Sequence, residues 1–181
     1  DQDYLQLELL ADLYNANGDF IEAAGAQALN AENILRGNYN DAYTSSGSIA
    51  YPDNLFADRM SDIAQLIKLD PDIGLRLVTL DYGDWDSHAA QNDGNAFDNR
   101  LDEVCRGLEA FFNDLDSSGS DYADRTTVIV QSEFGRRAFE NADRGTDHGS
   151  GNIMLAIGKN VNGGQIYGTW PGLYPGNERV N

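Results

Sequence analysis

The stretch Leu75-Arg76-Leu77-Val78-Thr79-Leu80, the run from Phe97 to Leu115 and the stretch Thr126-Thr127-Val128-Ile129-Val130-Gln131 together decide the fold class. The first is short and apolar and follows the turn Asp70-Pro71-Asp72, so it reads as a buried strand. The second carries Phe97, Leu101, Val104, Leu108, Phe111, Phe112 and Leu115 at helical spacings, giving a clear amphipathic helix. The third is again a β-branched run. Strand, long helix, strand is a βαβ unit, and it predicts a parallel sheet with helices packed on it.

Downstream, residues 153–157 read as a further strand, and residues 165–168 as a short one after the turn Asn162-Gly163-Gly164. Upstream the period is helical. Leu5, Leu9, Leu10 and Leu13 mark a first helix that stops at Asn17-Gly18. Asp19 then caps a second, with Glu22 in a capping-box position, and that helix continues through Ile34 and Leu35. After a loop over residues 37–52, Asp53 caps a third helix carrying Leu55, Phe56, Met60, Ile63 and Ile67. The reading is a single α/β domain over residues 1–181, mainly helical over 1–70, with the βαβ core and any active site over 71–181.

Charge narrows the function classes. The chain has 181 residues and a net charge of -18, from 22 Asp and 8 Glu against 10 Arg and 2 Lys. The acids are scattered over every segment, and such a diffuse negative field disfavours both nucleic acid as a partner and anionic membranes. No run of 18 apolar residues spans a bilayer. The lone Cys105 falls on the apolar side of its helix and is expected to be a buried, inert thiol. The chain opens at Asp1 directly into a helical pattern, and an upstream segment of the same protein is therefore expected.

In open α/β sheets functional groups gather beyond the carboxyl ends of strands. The loop after residues 75–80 contains Gly83-Asp84-Trp85-Asp86-Ser87-His88; the one after residues 126–131 contains Ser132-Glu133-Phe134-Gly135-Arg136-Arg137 and then Gly145-Thr146-Asp147-His148-Gly149. His88 and His148 are the chain's two histidines, and each stands near an aspartate. Imidazole and carboxylate together suit a divalent metal, so Asp86, His88, Asp147 and His148 are the candidate ligands. Either both Asp147 and His148 turn inward, or one of them orients a ligand from behind. An Asp-rich chain also places Asp beside His by chance.

Glu133 has three readings of equal standing: a carboxylate ligand, a general base, or the first solvated residue of its loop. Arg136 is a candidate for holding an anion, whereas Arg137 more naturally pairs with one of the many acids. Trp85 and Trp170 either wall a pocket or pack in the core. Cys–His and Gly-x-Ser-x-Gly nucleophile patterns and Gly-rich phosphate loops are absent.

These three loop motifs, with Gly163-Gly164-Gln165-Ile166-Tyr167-Gly168-Thr169-Trp170-Pro171, resemble the bacterial family called domain of unknown function 1501. Members of that family usually carry a twin-arginine export signal. The family is similar in turn to the alkaline phosphatase and sulfatase superfamily, whose members cleave phosphate or sulfate esters on one or two metal ions. The resemblance implies a parallel-sheet α/β sandwich of the alkaline phosphatase-like kind, incomplete in this chain. It implies that Asp86 and His88 form the first Asp–His metal pair and that Asp147 and His148 supply the late histidine ligand. It also implies zinc, manganese or calcium as cofactor, a small anionic ester as substrate, and a periplasmic or extracellular location. Glu133-Phe134-Gly135 stands where many relatives have Asp-His-Gly, and Phe134 cannot bind a metal. Family members are about twice as long, so the N-terminal strand and the nucleophile are expected outside this chain. Two functions follow as expectations: an exported metal-dependent hydrolase of phosphate or sulfate esters, or a non-catalytic extracellular binding or assembly protein on a degenerate hydrolase scaffold.

Overall fold

Asn54 starts the helix that organises the core: its side-chain oxygen accepts the Ala57 amide hydrogen at 2.9 Å. This computed structural model describes residues 20–40, 42–69 and 74–169. Its helices are α1 (Phe20–Asn38), α2 (Leu55–Lys68), α3 (Ala96–Asp116) and the single turn α4 (Tyr122–Arg125). Its strands are β1 (Val128–Gln131), β2 (Gly135–Arg136), β3 (His148–Gly149) and β4 (Met154–Ile157). The mixed α/β class expected from the sequence is present. The cap of α2 is Asn54 rather than the expected Asp53, one residue later, because the Asn54 amide faces the free N–H of the first turn. The expected helix over Leu5–Leu13, its Asn17-Gly18 stop, the Asp19 cap, the Asp70-Pro71-Asp72 turn and Trp170 lie outside the described residues.

The chain divides into two units. In the first, Asp1–Ser45 with Ser61–Thr79, the Gln65 side chain is buried and closes a two-way amide pair with Asn40, accepting from its N–H at 2.7 Å and donating to its carbonyl at 3.1 Å. Tyr39 donates to Asp62 at 2.6 Å. In the second, Ser46–Met60 with Leu80–Asn181, Phe56, Ala57 and Met60 of α2 are buried, as are Leu108, Ala110, Phe111 and Leu115 of α3. Gly107 lets α2 and α3 approach: a Cβ there would stand 2.6 Å from Phe56 Cδ1. Asp114 is fully buried, and its carboxylate accepts from the Ser46 N–H and from Tyr51 Oη. That satisfies a charge whose burial would otherwise be costly. An aromatic chain, Phe56–Tyr82–Trp85–Phe97, continues from the core to the loop before α3. Trp85 is thus a packing residue.

Sheet topology departs from expectation. β1 pairs with β4, antiparallel, from Val128 opposite Ile157 to Gln131 opposite Met154. β2 pairs with β3, also antiparallel. No parallel ladder forms among the described residues, because the expected first strand of the βαβ unit, 75–80, is unpaired: Leu77 is 82% exposed. An apolar β-branched run becomes a strand only against a partner that takes its backbone hydrogen bonds. Residues 165–168 likewise form no strand, and Ile166 stands in solvent. Cys105 is exposed rather than buried. The buried stripe of α3 runs through Gly107, Leu108, Phe111, Asp114 and Leu115, and Cys105 falls beside it. No helix among the described residues is long and apolar enough to cross a membrane.

Candidate metal centre

Two loops make the site, and main-chain hydrogen bonds lace them together. Ala90 N–H donates to Asp143 O at 2.8 Å and Gln91 N–H to Arg144 O at 2.9 Å. Gly145 is where the loops touch most closely. A Cβ there would lie 2.3 Å from the carbonyl carbon and oxygen of His88, so no other residue fits without separating them. Arg144 secures the far end with a bidentate pair to Asp93, both contacts at 2.8 Å.

The short β2–β3 pair delivers the second histidine. Arg136 and His148 are directly opposite in the ladder, which sends both side chains to one face. There the Arg136 guanidinium donates to Thr146 O at 2.8 Å and Trp85 O at 3.0 Å, and lies 2.8 Å from Asp86 Oδ1. Each loop therefore contributes a carbonyl to the same guanidinium. Phe134 stacks on the His148 ring at 4.0 Å between centroids, fixing its plane.

Asp86 Oδ1 is the point of convergence. His88 Nε2 and His148 Nε2 each lie 3.0 Å from it, and the two rings are 4.9 Å apart. The hydrogen bond with His148, the two imidazoles and Arg136 together hold the Asp86 carboxyl below its ordinary range. Asp147 stands behind this group. Its Oδ1 is 3.2 Å from His88 Nδ1 and accepts from Asn141 Nδ2 at 3.0 Å. The Asn141 bond first, and then the His88 bond, lowers the Asp147 carboxyl as well.

Asn141 was not legible as a site residue, yet its amide is engaged four times. It donates to His88 O at 2.8 Å and to Asp147, and it accepts from the N–H groups of Asp143 and Gly145, each at 3.0 Å. The available signal was the Asn141-to-Gly145 spacing of a side-chain-closed turn, which reads as an ordinary loop.

The donor set fits a divalent ion. One ligand atom each from Asp86, His88 and His148 falls within 4.8 Å of the others, and among the described residues no other such trio of His, Cys, Asp or Glu comes together. Donors tetrahedrally placed around zinc at about 2.0 Å are roughly 3.3 Å apart, close to the 3.0 Å found to Asp86. Of the four expected ligands, Asp86, His88 and His148 meet, and Asp147 takes the orienting position on the far nitrogen of His88. Arg136 faces Asp86, and Arg137 reaches Asp147 at 4.0 Å. Glu133 is exposed and makes no hydrogen bond or ion pair among the described residues. Ser87 gives its carbonyl to Thr146 N–H at 3.3 Å.

A family model described as protein of unknown function (DUF1501) matches residues 71–179, more than half the chain. The chain belongs to the DUF1501 family. The matched region holds both loops, both strand pairs and the whole Asp–His cluster. No curated protein and no solved structure matches the chain.

Proposed function

We propose that this DUF1501 protein is an exported metal-dependent hydrolase of phosphate or sulfate esters, with Asp86, His88 and His148 as protein ligands of one divalent ion. The observation that carries the reading is the meeting of two histidines from loops 60 residues apart in sequence on a single carboxylate oxygen. The three side chains are each about half exposed, which leaves the site open to substrate. Two imidazoles favour zinc or manganese over calcium, which prefers oxygen ligands. When bound, such an ion polarises an ester oxygen and activates water at neutral pH.

The chain's own residues hold that arrangement. A neutral His88 that donates Nδ1–H to Asp147 keeps its Nε2 lone pair for an ion. Arg136 holds Asp86 and joins the two loops, and its charge favours an anion nearby. Glu133, which has no hydrogen-bond or ion-pair partner among the described residues, is the proposed proton carrier. The scaffold we infer is the alkaline phosphatase-like parallel sandwich, whose parallel sheet the described residues do not themselves form. A periplasmic or extracellular location accords with the acidic composition.

One observation favours a non-catalytic binding protein: Phe134 occupies a position where the resemblance implies a further ligand, and there it packs on His148 instead. Metal analysis of the purified protein, alongside turnover of aryl phosphate and aryl sulfate esters, separates the two. The hydrolase reading expects about one ion per chain, lost in His88→Ala and in His148→Ala, with turnover lost in parallel. Stoichiometric metal without turnover assigns the binding role, and absence of metal at saturating zinc or manganese removes the centre itself.

A further inference from the structure

A second polar surface adjoins the loop that bears Asp86. It is an open pocket of about 530 Å³ whose walls include Arg59, Arg100, Asp81, Asp84, Glu103 and the exposed Leu55. The two arginines are unusual in a chain with 30 acids. Arg59 donates to the main-chain carbonyl of Asp81 at 2.6 Å and makes no ion pair among the described residues. Arg100 donates to Gly83 O at 3.0 Å and reaches Asp84 only at 3.8 Å, and that carboxylate is 87% exposed. Several other guanidiniums take carboxylates closely, as Arg106 does Asp102 at 2.7 Å and Arg144 does Asp93 at 2.8 Å, whereas Arg137 reaches Asp147 only at 4.0 Å. Arg100 is also fixed in orientation, lying 5.4 Å over the Tyr82 ring and 5.9 Å over Trp85.

We propose that this pocket binds a small polyhydroxylated organic acid. Guanidinium groups only donate, and ionised carboxylates only accept. A ligand that meets both kinds of group presents an oxyanion to Arg59 and Arg100 and hydroxyl donors to Asp81 and to the second oxygen of Glu103, whose other oxygen accepts from Tyr82. A bare inorganic anion offers no donor to these carboxylates. A neutral sugar offers Arg59 no counter-charge and leaves Arg100 with the exposed Asp84 alone. The sugar acids and their open-chain equivalents carry both functions on a scaffold of suitable size. None of its lining residues is one of the three candidate metal ligands.

The test is calorimetric titration of the full-length protein without added metal, using glucuronate, methyl glucoside, inorganic sulfate and glycine as probes. Glucuronate is expected to bind saturably, and the other three at least tenfold more weakly. Arg59→Gln and Arg100→Gln should each weaken glucuronate about tenfold, the loss of one charge-assisted hydrogen bond. Asp84→Asn should tighten it about threefold by removing an exposed competing charge. Asp84 has φ +67°, where Asn is well tolerated, so this variant keeps the fold and holds the test open if an arginine variant misfolds. The proposal falls if glucuronate does not saturate, if methyl glucoside, sulfate or glycine binds as tightly, or if folded Arg59→Gln and Asp84→Asn titrate as wild type does.

Discussion

At the scale of single residues, the site depends on side chains that touch no ligand position. His88 is useful as a ligand only if its ring is held, and Asp147 and Asn141 hold it. Removing such an outer partner commonly costs 10–100-fold in metal affinity. Asn141→Ala and Asp147→Asn are therefore expected to weaken zinc by about that factor in chelator competition, while His88→Ala abolishes stoichiometric binding. An Asn141→Ala protein with wild-type affinity would show that the ring is held by packing alone. Asp147 also carries a pH signature. Its carboxyl is lowered in the folded state, so its contribution to stability is present above the unfolded value, near 3.9, and is lost as pH falls through the lower folded value. Metal-free wild type should thus melt above Asp147→Asn at pH 6 to 7, with the gap closing only below about pH 4. A gap that is constant down to pH 2.5 contradicts this assignment.

At the scale of elements, legibility followed the range of the interactions. The long helix of the βαβ pattern was readable because its stripe is local, and α3 runs Ala96–Asp116 over the expected span. The convergence of His88, His148 and Asp86 was readable because the chain has just two histidines and both stand near an aspartate in glycine-containing loops. The partner of a strand is not local, and so β1 was foreseen but its antiparallel match to β4 was not. Cys105 shows the same limit: at the margin of a stripe, the neighbouring element decides burial. Phe134 was legible as a departure from a ligand motif, but its stacking on His148 needed the fold. Loop pairing gives the sharpest prediction at this scale. Gly145→Ala must push the two loops apart, since the clash is with the His88 main chain rather than a flexible side-chain end. It should cost about 1–3 kcal/mol in denaturant unfolding and weaken zinc at the same time. Intact stability and affinity would mean that the loops do not close on each other in solution.

At the scale of the whole molecule, charge is the dominant fact. Thirty acids against twelve bases leave most carboxylates without a cationic partner, and the field they make is repulsive at every distance within a Debye length. Opposing attractions exist, as where Lys159 lies 2.7 Å from Asp116 and 2.6 Å from Asp124, contacts that raise its ammonium well above the ordinary lysine range. Such pairs are exposed, and salt screens them as it screens the repulsions. The repulsions are more numerous, so screening should stabilise the fold on balance. Raising sodium chloride from about 10 mM to about 1 M shortens the Debye length from roughly 30 Å to 3 Å, and the melting temperature should rise across that range, most steeply below about 150 mM, where the Debye length is still about 8 Å or more. Equimolar sodium perchlorate should act in the same direction over the low range, because the mechanism is screening rather than exclusion from apolar surface. A melting temperature that falls with either salt below 150 mM would mean that the ion pairs outweigh the field of the 30 acids.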